Sequence, residues 1–306
     1  MAERWAFLFP GQGSQTVGMG KEYYDRYAIA RQLFQEANDV LGFDIATLCF
    51  EGPAETLQLT AYTQPALLIH SVITAHLLQD RGREPVILAG HSLGEYSALV
   101  IAGVLRFADA VYLVHKRGQF MQEAVPVGVG AMAAIMGLSR EVVEEICQAQ
   151  SQGEEIVDPA NYNCPGQVVI SGHAGAVKAA MEAAAARGAR TKLLPVSAPF
   201  HSRLMQPVGE RLAAELDRVA LSDFRYPVVS NVEAEVIPDL SRVKPLLIQQ
   251  VSLPVRWEES MHRILAEGID GVVEVGPGRV LAGLMKRIDR KTPVIPLEQL
   301  LDFPRA

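Results

Sequence analysis

The sequence predicts an α/β protein built on a mainly parallel sheet, with a smaller α+β unit inserted into it. Two observations predict this. The apolar runs Trp5-Ala6-Phe7-Leu8-Phe9 and Pro85-Val86-Ile87-Leu88-Ala89 stop at Pro or Gly, and longer stretches with helical apolar spacing follow them. Between residues 128 and 198 the rhythm changes to strand, helix, strand, strand, helix, strand, after which strand–helix alternation resumes. That order is the ferredoxin-like βαββαβ unit. The chain therefore divides into a large unit of residues 1–127 and 199–306 and a small unit of residues 128–198.

The elements follow in order. Pro10 and Gly11 end the first strand, over 5–9, in a tight loop. Helical patterns cover 21–41, 55–59 and 65–80, the last carrying Leu68, Val72, Ala75 and Leu78 on one face. A buried strand over 85–89 ends at Gly90, and helices are expected over 93–102 and 107–122, with Asp109 as a cap. In the insertion, 130–137 reads as a strand and 139–150 as a helix with Ser139 at its N-cap. Residues 156–161 and 167–171 form two strands joined by Asn163-Cys164-Pro165-Gly166, an Ala-rich helix spans 174–187, and 190–197 is the last strand. Helix is then expected over 203–219, strand over 227–230, helix over 256–267, strand over 271–275 and helix over 278–290.

With 306 residues, 49 % apolar and 21 % charged, the chain can bury a core without staples, which excludes a disordered or collagen-like protein. A net charge of −7 argues against nucleic acid and anionic membranes as partners. The three cysteines, Cys49, Cys147 and Cys164, form neither a disulfide framework nor a metal motif. The N-terminal apolar run is too short for a signal peptide and no stretch reads as a membrane span, so a reducing cytoplasm is the expected compartment.

The sharpest local signal is Gly90-His91-Ser92-Leu93-Gly94, a G-x-S-x-G between a predicted strand and a predicted helix. Such a turn forces strained angles on Ser92, admits only glycine-sized neighbours, and lifts the hydroxyl above the sheet at a helix N-terminus. There the dipole and the Leu93 amide favour a developing oxyanion. The competing reading is an ordinary strand-to-helix turn that holds a serine. A nucleophilic serine needs a base. Of the seven histidines, His70, His76, His115 and His262 fall in predicted helices, His173 in a loop, and His91 beside the serine but pointing away. His201 is different: it sits just after a strand and before a helix, in Ala198-Pro199-Phe200-His201-Ser202, where catalytic groups of open α/β sheets gather. The only aspartates between Ser92 and His201 are Asp109 and Asp158, neither at a strand end, so a Ser–His dyad oriented by a backbone carbonyl is expected instead of a triad.

Gly11-Gln12-Gly13 starts like a dinucleotide fingerprint, but position 16 is Thr where the third Gly belongs. The alternative is a loop that brings the Gln12 amide beside Ser92. Arg117 falls on the apolar face that Phe107, Val111, Val114 and Met121 mark out. An inward arginine is a structural ion pair, a side chain snorkelling to the surface, or a bidentate clamp for a substrate carboxylate.

Taken together, these motifs carry a resemblance. The chain resembles the malonyl-CoA:acyl carrier protein transacylases, acyltransferases of bacterial fatty-acid and polyketide synthesis. The resemblance runs through Phe9-Pro10-Gly11-Gln12-Gly13-Ser14-Gln15, Thr63-Gln64-Pro65-Ala66-Leu67, Gly90-His91-Ser92-Leu93-Gly94-Glu95, Gly118-Gln119-Phe120-Met121, Asn163-Cys164-Pro165-Gly166-Gln167, Pro199-Phe200-His201 and Glu274-Val275-Gly276-Pro277-Gly278. It implies a hydrolase-like α/β core with the ferredoxin-like insertion. It also implies Ser92 as the acylated nucleophile, His201 as its base, the Gln250 carbonyl as the group orienting His201, and the Gln12 and Leu93 amides as the oxyanion hole. Arg117 would pair with the malonyl carboxylate, with Gln64, Met121 and Asn163 beside the substrate. Phe200 matches the Phe before the histidine of malonyl-selective polyketide acyltransferases, whereas many fatty-acid-type members carry Ser.

The implied reaction is ping-pong, from malonyl-CoA through a malonyl-serine ester to the phosphopantetheine thiol of acyl carrier protein, with no metal or redox cofactor. An acyl hydrolase, or a polyketide acyltransferase using another acyl group, is the alternative. Nothing in the sequence demands more than a monomer. An acidic carrier needs a local basic patch on this acidic chain, and Lys286, Arg287, Arg290 and Lys291 on the last predicted helix are candidates; a solvated helix end is the competing reading.

Overall fold

The computed structural model describes residues 3–196 and 198–301. Its strands are β1 (Trp5–Phe9), β2 (Pro85–Gly90), β3 (Gly130–Met136), β4 (Val157–Cys164), β5 (Gln167–His173), β6 (Arg190–Leu193), β7 (Val228–Val229), β8 (Gly271–Glu274) and β9 (Val294–Ile295). The larger sheet has the order β7-β2-β1-β8-β9, and every pairing in it is parallel. Strand β1 lies at its centre and is buried along its whole length. Its alternation sorts two apolar layers. Trp5, Phe7 and Phe9 pack with Phe34, Leu67, Leu68 and Tyr96 on one face, while Ala6 and Leu8 pack with Trp257, Met261 and Leu281 on the other.

The smaller sheet has the order β4-β5-β3-β6 and is antiparallel throughout, the ferredoxin-like arrangement. One face, with Ala133, Ile135, Val168 and Ile170, is covered by the helices Arg140–Gln150 and Ala174–Ala186. The opposite face, with Met132, Ala134, Ala160 and Val169, joins the main core. Edge strand β4 also binds the large unit through its backbone, Tyr162 N donating to Val255 O and Val255 N to Ala160 O, each at 2.9 Å.

Several elements depart from the sequence expectation. The helical stretch over 21–41 is two helices, Lys21–Arg26 and Ala28–Leu41, because Tyr27 is extended at φ −119° and ψ 132°. The helix expected to begin at 65 runs from Thr60 to Gln79, with Pro65 inside it. Proline leaves a carbonyl of the preceding turn without its helical donor, and His115 Nδ1 lies 2.8 Å from the Ala61 oxygen and supplies one. The helix Leu240–Gln250, also interrupted by a proline, Pro245, is absent from the sequence reading, although Asp239 caps it through Ser241 N at 2.8 Å. Asp109 is not the cap of the Phe107–Glu123 helix; Arg106 holds that position, and Asp109 in the first turn is ion-paired to it at 2.6 Å. Ser139 holds its N-cap position without a side-chain cap bond. The last long helix ends at Ile288, which leaves Arg290 and Lys291 in the turn beyond it. Ser197, the end of the last strand expected in the insertion, lies outside the described residues.

The carboxyl ends of β1 and β2 meet in register, Phe9 opposite Gly90, and the Gly94–Ile101 helix starts against both. A Cβ on Gly94 would lie 2.0 Å from the Phe9 oxygen, and one on Gly90 would lie 1.8 Å from the Gly94 carbonyl carbon. Only glycine permits this crossing. Gly94→Ala is therefore expected to destabilise the fold by about 3 kcal/mol or more. Gly283→Ala, in the Val280–Ile288 helix with nothing within 4 Å of the new methyl, is expected to stabilise it by about 0.5–1 kcal/mol. Urea midpoints of the two variants measure both; equal midpoints would contradict the steric account.

Candidate active site

Ser92 stands on the turn between β2 and the Gly94–Ile101 helix at φ 52°, a left-handed conformation that costs a non-glycine residue on the order of 1–3 kcal/mol. Its backbone is gripped on both sides. The Ser92 N–H donates to Asn231 Oδ1 at 2.7 Å, and the Ser92 carbonyl accepts from Gln250 Nε2 at 3.0 Å and Glu95 N at 3.1 Å. Asn231 is anchored in turn by Nδ2 donating to Gly90 O at 2.6 Å.

His201 comes from the loop after the insertion and is itself left-handed, at φ 57°. Its Nε2 lies 2.8 Å from Ser92 Oγ, and its Nδ1 lies 2.8 Å from the Gln250 carbonyl oxygen. A carbonyl only accepts, so Nδ1 carries the proton and Nε2 is left to accept the serine O–H. Burial first, and then the Arg117 cation, push the His201 imidazole down to about 3. The pair is thus a neutral hydrogen-bonded dyad at neutral pH. A backbone carbonyl stands where a triad would hold a carboxylate.

Arg117 is 1 % exposed. Its Nη1 donates to Gln64 Oε1 at 2.8 Å, and its Nη2 donates to Gln250 Oε1 at 2.9 Å and to Ser92 Oγ at 3.1 Å. The structure excludes the ion-pair and snorkelling readings: no carboxylate among the described residues touches the guanidinium, and its Nε has no partner. Buried cations are normally paired. This one instead faces a cavity of about 470 Å³ lined by Gln12, Gln64, Ser92, Arg117, Phe200 and His201 among others.

Other predicted residues divide in two groups. Leu93 and Met121 also line the cavity, as do Met132, Asn161 and Leu194–Val196 of the insertion side. The backbone N–H groups of Gln12 and Leu93 have no hydrogen-bond partner among the described residues, as donors kept for a ligand oxygen would be. Asn163 is not brought into the lining. Its Oδ1 lies 2.9 Å from His91 Nε2, so the two residues satisfy each other beside the site, and Asn161 lines the cavity in its place.

Residues 6–297 match the acyl transferase domain family. The chain belongs to this family. It is 49 % identical over 291 residues to the malonyl CoA-acyl carrier protein transacylase of Bacillus subtilis (strain 168), which spans 95 % of this chain and 92 % of that protein. To the malonyl CoA-acyl carrier protein transacylase of Escherichia coli (strain K12) it is 48 % identical over 287 residues, 93 % of each. The solved malonyl CoA-acyl carrier protein transacylase from Coxiella burnetii superposes with a TM-score of 0.95 at 44 % identity, over 98 % of this chain and 96 % of that one. A malonyl-transacylase solved in complex with a type II PKS acyl-carrier protein gives 0.94 at 43 % identity, over 98 % and 99 %. As an acyltransferase the chain has two site residues that sequence reasoning gave no role. Asn231 lay in a stretch without a motif, and Glu95 was noted only as the end of Gly-His-Ser-Leu-Gly-Glu.

Protonation links this site to stability. In the folded chain His201 titrates at about 3 and His70, also buried, at about 4. In the unfolded chain both return to about 6.5. The unfolded state therefore binds more protons between those limits, and the two histidines make stability rise with pH up to about 6.5. Glu95 acts in the opposite sense: burial lifts it from 4.5 to about 7, so its contribution falls as pH rises through that window. His201→Gln is expected to reduce the rise in unfolding free energy between pH 4.5 and 6 by up to about 1.4 kcal/mol per pH unit. Urea titrations across that range measure the slope, and an unchanged slope contradicts the assignment.

Proposed function

We propose that this acyltransferase transfers a malonyl group from malonyl-CoA to the phosphopantetheine thiol of acyl carrier protein, through an ester on Ser92. One observation carries the choice of acyl group. A fully buried guanidinium lies 3.1 Å from the nucleophile's oxygen, and no carboxylate among the described residues is in contact with it. An anionic acyl group supplies the missing partner.

The steps follow from the groups present. Ser92 Oγ attacks the thioester carbonyl as its proton passes to His201 Nε2, while the Gln250 carbonyl holds Nδ1–H and so fixes the ring. The Gln12 and Leu93 amides receive the oxyanion. The carbon–sulfur bond breaks, and the leaving thiolate takes the proton from His201. In the second half the carrier's thiol gives its proton to His201 and attacks the ester, and Ser92 Oγ departs with that proton. Protons and electrons balance without a metal or redox partner. Among the described residues no three His, Cys, Asp or Glu side chains are grouped to hold a metal ion. No described helix is long and apolar enough to cross a membrane.

Arg117 links substrate choice to activation of the nucleophile. In the free site its charge helps to depress His201. A malonyl carboxylate on the guanidinium cancels that charge and raises the basicity of His201 when the correct acyl group is in place. The Nη1 proton not given to Gln64 and the Nη2 proton now on Ser92 Oγ can form an end-on fork to the carboxylate. Phe200 lines the same cavity, and its ring leaves less room for a C2 methyl, worth about 1–3 kcal/mol against methylmalonyl.

Arg117→Ala is expected to lower malonyl kcat/KM by about 10²- to 10³-fold and to spare part of the acetyl transfer. Intact-mass kinetics of Ser92 acylation check this, and full malonyl preference in the variant sinks the clamp. The malonyl ester is expected to persist without carrier protein; release to water as fast as transfer would favour a hydrolase instead. For docking of the acidic carrier, Lys286 and Arg290 are exposed. Arg287 is partly engaged, donating to Gln167 Oε1 at 2.5 Å and Pro165 O at 3.3 Å. The Lys286→Glu/Arg290→Glu double variant is expected to raise the KM for carrier severalfold and to leave acylation by malonyl-CoA unchanged. An unchanged carrier KM removes this surface.

A further inference from the structure

We propose that Glu95 is a positioning residue: its carboxylate sets which way the Gln250 side-chain amide faces, and thereby aims the Arg117 guanidinium at the acyl group. This rests on Arg117 acting as the carboxylate clamp.

The geometry is a chain of forced hydrogen-bond polarities. Glu95 is 0 % exposed, in the first turn of the Gly94–Ile101 helix. Its Oε2 accepts from Gln250 Nε2 at 2.8 Å and from Asn231 N at 3.1 Å. The other strong partner of Gln250 Nε2 is the Ser92 carbonyl at 3.0 Å. Both partners are acceptors, and Gln250 Oε1 meets Arg117 Nη2 at 2.9 Å, which can only donate. A flipped amide would set an oxygen against two oxygens and an NH₂ against a cation. Of the two acceptors that forbid this, Glu95 Oε2 is the closer one. Remove it, and the amide oxygen that holds Nη2 loses most of what fixes it.

The same Glu95 oxygen reaches Asn231, whose own Oδ1 holds the Ser92 N–H. One oxygen thus holds the Gln250 side chain and the Asn231 backbone, the two residues that grip the nucleophile's backbone. Glu95 touches neither Ser92 Oγ nor His201, so it acts through others. Its second oxygen, Oε1, is buried without a partner among the described residues. A carboxylate half-satisfied in a dry site is a poor way to fill a core, and packing alone would favour an apolar side chain there. Desolvation lifts its titration to about 7 against the pull of Gln250, Asn231 and Arg117.

The test compares Glu95→Met, which keeps the volume and removes the acceptor, with Glu95→Gln, whose amide oxygen can take the Oε2 position. Rates of Ser92 acylation by malonyl-CoA and by acetyl-CoA are measured for each, with kcat and KM separated and Arg117→Ala run alongside. Glu95→Met is expected to lose malonyl kcat/KM by about 10- to 100-fold, mainly through KM, with an acetyl loss at least severalfold smaller, whereas Glu95→Gln keeps the wild-type malonyl-to-acetyl ratio. Equal losses for the two acyl groups in Glu95→Met would assign Glu95 to folding or to the grip on the Ser92 backbone and overturn the proposal. So would an unchanged malonyl-to-acetyl ratio, or a Glu95→Gln loss as large as that of Glu95→Met. Should Glu95→Met not fold, Glu95→Asp, which draws the carboxylate back by one methylene, is held to the same criteria. If Arg117→Ala itself leaves the ratio unchanged, the clamp has failed; if only the Glu95 variants do, the clamp stands and the positioning role falls.

Discussion

A guanidinium buried with no carboxylate among the described residues in contact is the constraint around which this molecule is arranged. A bare charge in a dry interior is costly unless its donors are satisfied. Arg117 satisfies its two Nη groups with neutral oxygens: Gln64 from the Thr60–Gln79 helix, Gln250 from the end of the Leu240–Gln250 helix, and the Ser92 hydroxyl. Each oxygen belongs to a different segment, so holding one cation fixes three elements relative to the Phe107–Glu123 helix. An amide oxygen bonds the guanidinium without neutralising it, which leaves a positive site able to draw in an anion. This resolves the tension in a chain of net charge −7 that handles anionic substrates: the useful charge is concentrated in one cavity.

The nucleophile's strain is carried by the same network. Ser92 and His201 both occupy left-handed backbone positions, and each is held by groups from Leu240–Val251: the Gln250 side chain on the Ser92 carbonyl, the Gln250 carbonyl on His201 Nδ1, and the Val251 carbonyl on His201 N–H at 3.2 Å. Gln250 therefore serves the serine, the histidine and the arginine together through three different atoms. The segment that does this is a helix interrupted by Pro245.

The insertion completes the cavity. One face of its sheet is spent on its own two helices and the other on the main core. The backbone bridge at Val255 anchors β4, and Arg203, two residues after His201, is ion-paired to Asp158 of β4 at 2.8 Å. The cavity wall that includes Met132 and Leu194–Val196 is thereby tied to the loop carrying the base.

Local rules made much of this legible in the sequence. Gly90 and Gly94 around Ser92 announce a turn that only glycine allows. The period of the Phe107–Glu123 helix puts Arg117 inside. Strand–helix alternation predicts the parallel sheet, and its interruption predicts the antiparallel insertion. The missing acid between Ser92 and His201 already pointed to a carbonyl as the histidine's partner. What the sequence could not show are contacts between residues far apart in the chain that follow no spacing. Asn231 lies 139 positions from the Ser92 amide it accepts from, and Gln250 lies 155 from Glu95. Nothing local distinguishes these amides from any others. Pro65 and Pro245 hid helix that tertiary packing supports, in one case through His115 satisfying the freed carbonyl. Asn163, prominent in its motif, turned to His91 while Asn161 took the cavity wall. The sequence by itself determined the tight glycine-flanked turn at Ser92, the inward placement of Arg117 and the layered fold, because turn sterics, helical period and strand–helix alternation are local. Only the tertiary structure decided how that cation is held and which side chains grip the nucleophile, because those depend on hydrogen-bond polarity between segments that meet only in the folded chain.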